Sequence, residues 1–526
     1  MADLSDVIAE WLTNSNECFH INLVRPAGAK DKQKRILEEP FHPSFTYEIF
    51  GNEEKIIGYK DPKIYLDFRA NDLKPTIDLQ FKHKMCMDEF FPKDNTQELD
   101  MEKALRKFVA PNAFDSTETS KPTGPDPTSS SWKPPGELLQ GFKLHGKQFE
   151  IWKTSLADVV AKELYRNMQV LVPLFIEGGS LLELDDPDWT IERWTLFLLY
   201  EVTPLKNPST SPYTIAGFCT TYRLWVFPTF EIMHATKSLP SPPASSNGDA
   251  TSCNPPRLTQ DPETYLINEH IDPLQSPSRE RISQFVVLPP FQGQSLGARL
   301  YESVYQCLLK TPNIYEITVE DPSEAFDAMR DYSDIVFLRT LPAFNALSLP
   351  STLPPETLRK DAPIPRELIL GSDTNLTALR HEAKMVPRQF NRMVELHLLS
   401  TIPLLNRNTA RITRKEKSSG ENDRKFYFWR LALKDRIYRQ NADQLDATED
   451  VEERIHAVEG GVNNQQEEYN ERLEGIEKRA RRNPVESEEN SERSKGKRKR
   501  AVIIEDDEDD EDIDVASIAS SKKVKA

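Results

Sequence analysis

One stretch, Arg281 to Asp321, constrains what this chain can fold into more than any other. It begins with a segment that is apolar on both faces of an extended backbone: Ile282, Val286 and Leu288 on one face, Phe285 and Val287 on the other. Such a segment is typical of an inner strand of a covered sheet. The prolines at 289–290 have no N–H to donate and should end that strand. A second apolar segment, 313–319, predicts another strand, which ends at the adjacent carboxylates of Glu320 and Asp321.

Between these two strands lies a loop of small and amide residues followed by a helical pattern. The loop is Gln292-Gly293-Gln294-Ser295-Leu296-Gly297-Ala298. The helix would bury residues that recur at helical spacing, which are Leu300, Val304, Cys307 and Leu308. Unpaired N–H groups at the start of a helix, together with the helix dipole, favour a phosphate group. The loop has neither the Gly-Lys-Ser/Thr ending of a Walker A loop nor the three glycines of a dinucleotide-binding loop. The stretch therefore predicts an anion site of another kind.

The loop resembles the Gln/Arg-x-x-Gly-x-Gly/Ala signature of the GCN5-related N-acetyltransferases, which holds the pyrophosphate of acetyl-coenzyme A. Ser295 stands where the middle glycine is usual, and a serine is tolerated there unless the position needs a positive φ. The longer run RISQFVVLPPFQGQSLGARL, followed by ITVEDPSEAFDAMRD, resembles the catalytic subunit of the type B histone acetyltransferases. The resemblance extends over most of the chain ahead of residue 447. It implies an α+β protein with a central GCN5-related N-acetyltransferase fold, in which helices flank a mixed sheet.

The amino-acid composition and net charge limit the classes of protein to which the chain can belong. The chain has 526 residues, 39 prolines and a formal net charge of −17, which predicts several domains and a part that is not folded. An acidic chain is a poor general binder of nucleic acid but can bind a cationic peptide. The five cysteines have no CxxC spacing, which argues against zinc and disulfides and fits a reducing compartment. We find neither a secretory signal pattern nor an apolar run of the ~20 residues that span a membrane.

The first part of the chain, residues 1–114, alternates short strand-like runs with polar turns. Phe19–Val24 and Lys63–Phe68 are two such runs, and the pattern predicts a small α/β or mostly β domain. By resemblance this is a histone-recognition domain. Residues 115–136 are rich in Ser, Thr, Pro and Gly, which predicts a linker or a long surface loop.

Residues 137–340 are predicted to form the acetyltransferase domain. DVVAKELYRNMQVLVPLFIEGG predicts one long amphipathic helix that ends at Gly178-Gly179. RWTLFLLYEV and YTIAGFCTTYRLWVF predict two adjacent antiparallel strands. The Pro- and Ser-rich stretch 236–263 predicts a disordered insertion, because compact domains rarely contain structureless loops of this length.

The remainder of the chain divides into a helical part and a charged part. Residues 341–446 contain two long helical patterns and predict a small helical C-terminal domain. Residues 447–526 predict a disordered charged tail, because the apolar seam of their one helical pattern is too thin to hold a core. The basic cluster 495–500 is typical of nuclear import or of an ordinary solvated tail. The acidic block 505–514 could bind basic histones or merely keep the tail extended.

The chemistry of lysine acetylation requires a base, because an amine with a pKa of ~10.4 is mostly protonated at pH 7. Glu320 and Asp321 close a strand at the position where a ligand in a cleft would lie, and pleat alternation sends them to opposite faces. The residues alone do not choose between them. The resemblance implies that Glu320 is the general base, that Asp321 supports it, and that Glu177 adds a third carboxylate. Otherwise Glu177 would be an exposed helix-end residue and Asp321 a turn residue.

The resemblance also implies the binding residues. The backbones of Phe285, Val286 and Val287 would pair with the pantetheine arm and donate N–H groups to the oxyanion, while Gln292 to Ala298 would hold the pyrophosphate. Ser323 and Phe326 would lie near the sulfur end of the coenzyme. Two segments would contact the histone tail, namely Asn52, Glu53 and Glu54, and Tyr222, Arg223 and Leu224. Without the resemblance, Ser323 would be a helix cap and Phe326 a core aromatic. The first tail-contact segment would be a solvated turn and the second an aromatic strand.

The implied function is direct acetyl transfer from acetyl-coenzyme A to lysines in the N-terminal tail of newly made histone H four. No rival catalytic motif and no metal-ligand spacing occurs in the sequence. The resemblance implies a WD-repeat histone-binding protein as partner, a location in nucleus and cytoplasm, and no metal, membrane or direct nucleic-acid binding. Two alternatives stay open: an acetyltransferase for another amine, and a histone-binding scaffold without catalytic activity.

Overall fold

The computed structural model describes residues 10–26, 35–85, 100–114, 124–185, 191–205, 210–225, 261–264, 274, 278–359, 361–412 and 420–482. Residues 1–475 form one compact unit, and a second unit begins at residue 476. The predicted insertion 236–263 lies outside the described residues except for its last three positions, and residues 483–526 lie outside them as well.

The N-terminal part of the fold consists mainly of short strands. The strands are β1 (Leu12–Asn14), β2 (Phe19–Val24), β3 (Lys55–Ile57), β4 (Tyr59–Lys60), β5 (Lys63–Arg69), β6 (Pro75–Gln80) and β7 (His83–Lys84). The helices are α1 (Ser15–Cys18), α2 (Tyr47–Phe50) and α3 (Met101–Leu105). In the largest sheet, β5 lies between β2, which is parallel to it, and β6, which is antiparallel. Alternate apolar side chains of β5 (Ile64, Leu66 and Phe68) are fully buried, which confirms the strand prediction.

The central part of the fold is one six-stranded mixed sheet with helices. Its strands are β8 (Glu137–Leu144), β9 (Lys147–Ser155), β10 (Trp194–Val202), β11 (Tyr213–Trp225), β12 (Ser278–Val287) and β13 (Ile314–Val319). Its helices are α4 (Val159–Met168), α5 (Leu171–Phe175), α6 (Leu296–Leu309) and α7 (Glu324–Thr340). The strand order is β13-β12-β11-β10-β9-β8, and the β12–β13 pair alone in this sheet is parallel, with α6 as its crossover. The described fold is therefore α+β, and β10 and β11 pair antiparallel as predicted.

The predicted linker also contributes to this part of the fold. Trp132 is buried, and its ring makes edge-to-face contacts with Tyr200 of β10 and Tyr213 of β11. Residues 124–136 contain neither helix nor strand, and Trp132 anchors them to the sheet.

The long helix predicted before Gly178-Gly179 is wrong as a single helix, because the structure has α4 and α5 in its place. The break follows from Pro173, which lacks the N–H that would continue the helical hydrogen bonds through residue 169. The N–H of Val172 instead donates to the carbonyl of Gln169 at 2.9 Å, a tighter turn than an α-helix makes.

The predicted burial of Cys307 in α6 is also wrong. Cys307 is half-buried, while Tyr301 and Tyr305 complete the buried face.

The C-terminal part is helical, as predicted. Its helices are α8 (Pro342–Asn345), α9 (Arg366–Leu370), α10 (Asp373–Glu382), α11 (Pro387–Ser400), α12 (Thr409–Ile412), α13 (Glu421–Gln440), α14 (Ala442–Ala447) and α15 (Val451–Arg482). Pro387 lies at the first position of α11, where its missing N–H needs no partner, so it separates α10 from α11.

The prediction of disorder from residue 447 onward is wrong for α15. Val462, Tyr469 and Leu473 of this helix are buried. The thin apolar seam is supplemented by polar contacts: the Tyr469 hydroxyl donates to Glu395 at 2.8 Å, and Arg430 of α13 donates to Asn463 at 2.9 Å. A hydrophobicity pattern does not register such contacts, because each of them needs a partner on another helix.

Candidate active site

The second half of β12 has a free edge in the described structure. Pairing of β12 with β13 ends at Ile282, opposite Val319, while pairing with β11 continues to Val287. Ser283 has no opposite residue on β11, because Gln284 faces Thr220 and Ile282 faces Thr221. This irregularity is a β-bulge, and it reorients the strand that follows it.

The bulge determines which backbone groups face the free edge. The N–H of Leu288 donates to the carbonyl of Ala216 in β11, so residues 286 and 288 direct their backbone groups to β11. Gly217 packs against the Val286 carbonyl so closely that a Cβ at this position would lie 2.5 Å from the oxygen. By alternation, the N–H groups of Phe285 and Val287 point to the free edge. Two donors are thus available to a ligand that lies along β12.

The loop that follows β12 holds its own shape. The side-chain amide of Gln292 donates to the Val287 carbonyl at 2.8 Å, and that of Gln294 donates to the Pro290 carbonyl at 3.1 Å. Gly293 has φ +72°, and Ser295, the residue before α6, has φ +62°. The serine therefore stands in a left-handed conformation that usually favours glycine. Its hydroxyl does not cap α6, so the first N–H groups of the helix stay available for an anion.

Gly297 allows α6 to approach β12 closely. A Cβ at this position would lie 3.0 Å from the Met329 sulfur and 3.7 Å from a Val287 methyl group. The ring of Phe326 in α7 meets the Phe285 ring edge-to-face, with 5.0 Å between the centroids. Phe326 is half-buried, so it belongs to this cluster and still borders the free edge of β12. Ser323 is exposed and caps α7, because its hydroxyl oxygen accepts the Phe326 N–H at 3.3 Å.

Glu320 lies at the end of β13, beside the start of this free edge. Its N–H donates to the Ile282 carbonyl at 2.9 Å, which extends the β12–β13 pairing by one residue. Its carboxylate accepts the Ser283 hydroxyl at 2.6 Å and lies 3.5 Å from the Arg281 guanidinium. Arg281 and Ser283 are half-buried; Arg281 lies opposite Tyr222 of β11, whereas Phe285, after the bulge, lies opposite Cys219. Residues 219 and 222 lie on opposite faces of β11, so Glu320 shares the sheet face of Arg281 and Tyr222, while the Phe285 side chain lies on the other face. This register is the information that pleat parity lacked.

The two other predicted carboxylates occupy turns. Asp321 is exposed and has φ +32°. Glu177 is exposed in the turn after α5, and the next N–H, that of Gly178, donates to the Tyr47 hydroxyl at 2.5 Å.

The turn of Glu177 is tied to β12 by a buried glutamine that the sequence patterns did not single out. The amide of Gln284 donates to the Ser180 carbonyl at 3.1 Å. The oxygen of the same amide accepts the hydroxyls of Tyr165 at 2.7 Å and of Thr220 at 3.2 Å. Gln284 thus connects α4, β11 and the segment after α5 at the level of the bulge.

Tyr222 is the predicted substrate residue that the structure brings to Glu320. Its hydroxyl accepts a hydrogen bond from Arg281 at 3.1 Å, and its ring stacks on Trp194 with 4.5 Å between the centroids. Burial and the nearby charge of Glu320 raise the pKa of the Tyr222 hydroxyl, with Arg281 opposing, so it stays protonated at neutral pH. Arg281, Ser283 and Trp194 were missed as site residues. The polar residues at alternate positions of β12 were the available signal for the first two.

The two residues that follow Tyr222 in β11 have other partners. Arg223 pairs with the buried Glu280 at 3.5 Å, on the opposite side of the sheet from Arg281. Burial raises the pKa of Glu280, while a hydrogen bond from Thr221 and the charge of Arg223 oppose the rise. Leu224 is half-buried opposite Arg279.

Part of the predicted acidic turn at Asn52 to Glu54 is held by hydrogen bonds within the protein. Glu54 accepts the Thr46 N–H at 2.7 Å and the Asn16 side-chain amide at 3.0 Å. Asn52 and Glu53 are exposed.

Within the described residues there is no cluster of side chains suited to a metal ion, and no helix there has the length and apolarity of a membrane span.

Comparison with known proteins identifies the family. The family model described as "Histone acetyl transferase HAT1 N-terminus" matches residues 11–177. A protein of Gibberella zeae called histone acetyltransferase type B catalytic subunit is 36% identical over 84% of this chain and 86% of its own length. Proteins of the same name from Aspergillus fumigatus and Schizosaccharomyces pombe are 34% and 28% identical, over 87% and 88% of this chain and 76% and 92% of their own lengths. The chain therefore belongs to the family of histone acetyltransferase type B catalytic subunits and is an acetyltransferase enzyme.

Proposed function

We propose that the central part of the chain has the GCN5-related N-acetyltransferase fold and transfers acetyl from acetyl-coenzyme A to lysines of the histone H four tail. The observation that carries the proposal is the position of Glu320, which Ser283 and Arg281 hold next to the start of the free edge of β12. A base and a row of unpaired N–H donors are the two features that direct acyl transfer to an amine requires.

The coenzyme would lie along the free edge and over the start of α6. Within the predicted segment of Phe285, Val286 and Val287, the backbones of Phe285 and Val287 would pair with the pantetheine arm, as an added strand does, while the Val286 backbone pairs with β11. The loop from Gln292 to Ala298 would hold the pyrophosphate through its backbone N–H groups, helped by the dipole of α6. Ser323 and Phe326 would border the thioester end. The fit of this chain to such a ligand is supported by the absence of a side-chain cap on α6 and by the closely packed Gly297.

The reaction would begin with removal of a proton from the lysine ammonium by Glu320, directly or through a water molecule. The neutral amine attacks the thioester carbonyl, and the N–H groups facing the free edge stabilise the negative oxygen that forms. This attack forms the C–N bond. Collapse then re-forms the carbonyl and breaks the C–S bond, and the proton lost from the amide nitrogen balances the one gained by the departing coenzyme thiolate. Ser283 and Arg281 hold the carboxylate in place. Asp321 and Glu177 would add negative charge that attracts a cationic tail.

The histone tail would reach Glu320 past Tyr222, Arg223 and Leu224, and the turn of Asn52, Glu53 and Glu54 would hold its other end. We propose the division into a recognition domain (1–114), a linker (115–136), a catalytic domain (137–340) and a helical domain (341–446). A WD-repeat histone-binding protein as partner, free newly made histone as substrate, and a location in nucleus and cytoplasm complete the proposal. Each of these follows from the family rather than from a contact in the fold.

The decisive experiment compares acetyl transfer to a histone H four tail peptide by the wild type, Glu320→Gln and Glu324→Gln. Glu324 is exposed in the first turn of α7 and serves as the matched control. We expect Glu320→Gln to bind the coenzyme normally and to turn over about 10²–10⁴-fold more slowly, as loss of a general base predicts. The control should keep wild-type turnover. Equal rates for the two variants would reject Glu320 as the base.

The same assay distinguishes the alternatives. Coenzyme binding with acetylation of small amines but not of the peptide would keep the fold and reject the histone substrate. Failure of the wild type to bind the coenzyme would reject the proposed loop function and favour a histone-binding scaffold.

A further inference from the structure

A cavity in the C-terminal helical part is lined almost entirely by hydrogen-bond donors. Its volume is about 490 Å³, and it lies among α9, α11, α13 and α15. Its arginines are Arg366, Arg388, Arg392, Arg436 and Arg439. Amide side chains and Tyr469 complete the lining, and no carboxylate belongs to it. We refer to it as the arginine cavity. Nothing in the proposed acetyl-transfer mechanism uses it.

Carboxylates that do not belong to the cavity lining hold some of these arginines in place. Arg436 donates to the buried Glu395 at 2.7 Å, to Gln440 at 2.8 Å and to Gln465 at 3.2 Å. Arg392 donates to the buried Asp331 at 3.0 Å and to Glu468 at 2.5 Å. These guanidinium groups are therefore held in one orientation before any ligand arrives, which reduces the entropy lost on binding.

Two arginines of the arginine cavity differ from the others. Arg366 is half-buried, Arg388 is exposed, and among the described residues neither has a carboxylate within the 4.0 Å of an ion pair. A concave site with fixed arginines and two uncompensated ones holds excess positive charge, although the whole chain has a formal charge of −17. The cavity is therefore a locally positive site on a chain whose net charge is negative.

We propose that the arginine cavity binds a small ligand with several phosphate groups. The guanidinium fork donates two parallel hydrogen bonds to phosphate oxygens, and a volume of about 490 Å³ is that of a small-molecule pocket. Tyr469 is the sole aromatic residue of the lining and is 1% exposed, so no free ring is offered to a nucleobase. The half-buried Asp435 and Glu468, which pair with the lining residues Arg439 and Arg392, add negative charge beside the cavity and so disfavour a long nucleic-acid strand.

The test is calorimetric titration of the full-length chain with inositol hexakisphosphate as probe. Coenzyme A is present at saturation, so that the loop before α6 cannot provide the binding site. The variant Arg366→Gln/Arg388→Gln is compared with Arg359→Gln/Lys310→Gln, which removes the same charge at exposed positions outside the cavity. Thermal unfolding of each unliganded variant checks that it is folded.

We expect one saturable site in the wild type and in the control, and binding weakened about tenfold or more in the cavity variant. Equal weakening in both variants would show nonspecific attraction and overturn the proposal. Absence of binding to the wild type would also overturn it, as would tighter binding of a single-stranded oligonucleotide than of the probe. These outcomes are independent of acetyl transfer, so failure here leaves the proposed enzymatic function untouched.

Discussion

At the scale of single residues, Ser295 combines backbone strain with a proposed binding function. A residue other than glycine in the left-handed region costs about 1–3 kcal/mol, and here that residue begins the helix whose first N–H groups face the proposed pyrophosphate. Serine is small enough to hold the conformation without blocking those groups. A β-branched side chain is not, because its second branch crowds the backbone at positive φ.

We predict that Ser295→Gly keeps the coenzyme affinity and changes the free energy of unfolding by less than about 1 kcal/mol, since relief of strain offsets added chain entropy. Ser295→Val should weaken coenzyme binding about tenfold or more, because the loop must shift to relieve the crowding. Calorimetric binding and denaturant unfolding of both variants check this. Equal affinity of the valine variant would mean that the loop conformation does not matter for binding.

Residue identity alone could not decide which neighbouring carboxylate faces the site. Alternation along β13 put Glu320 and Asp321 on opposite faces, but the choice depends on register with β12. The structure provides that register by placing Ile282 opposite Val319 and Ser283 within 2.6 Å of Glu320. Such long-range pairing is absent from any local pattern.

At the scale of elements, α15 shows how a helix with few apolar residues can still be held. Tyr469 is 1% exposed, and its hydroxyl donates to Glu395, which is 3% exposed and also binds Arg436. A buried carboxylate that loses a donor keeps the full cost of desolvation. The contact of α15 with α11 and α13 therefore depends on polar pairing as much as on apolar burial.

We predict that Tyr469→Phe lowers the free energy of unfolding by about 1–3 kcal/mol, because it leaves an oxygen of Glu395 without its hydroxyl donor. The matched control is Tyr438→Phe. Its hydroxyl donates to Asp446 at 2.6 Å, but both residues are exposed, so its loss should be nearly neutral. Denaturant unfolding of the two variants decides the matter, and equal losses would contradict the proposed role of burial.

Elements with strong local periodicity were predictable, and elements that depend on distant partners were not. The strands β2, β5, β10 and β11 followed from alternation and β-branched or aromatic composition. The separation of α4 from α5 was missed because helical periodicity outweighed Pro173 in the prediction. The order of α15 was missed because its partners, Glu395 and Arg430, come from other helices. Of the candidate site, the sequence pointed to the loop and to the Glu320–Asp321 pair, and the resemblance chose Glu320, whereas Arg281, Ser283 and Gln284 needed the bulge.

At the scale of the whole molecule, buried titratable groups connect folding to pH. Burial lowers the pKa of His381 from its ordinary value of 6.5 to about 4, and the charge of Arg380 adds to this effect. The unfolded chain therefore binds a proton at a higher pH than the folded chain. This difference removes stability as the pH falls from about 6.5 to about 4, and leaves stability unaffected above that window.

We predict that His381→Gln loses less stability than the wild type between pH 6.5 and pH 4. The matched control is His456→Gln in α15, where the histidine is exposed. Chemical unfolding at several pH values measures the slope for each protein. Parallel curves for the wild type and His381→Gln would contradict the assigned role of this histidine.

The strand order of the central sheet has a consequence for biosynthesis. Each strand from β8 to β13 lies beside the strand that precedes it in the chain. A polypeptide emerging from the ribosome can therefore add each strand to an edge that is already present, with no need to insert one between earlier neighbours. The last strand to arrive, β13, carries Glu320 at its end. A chain halted before that point could hold most of the sheet and the free edge of β12, yet lack Glu320, the proposed base. If Glu320 is the base as proposed, chemical competence would come only with the final strand.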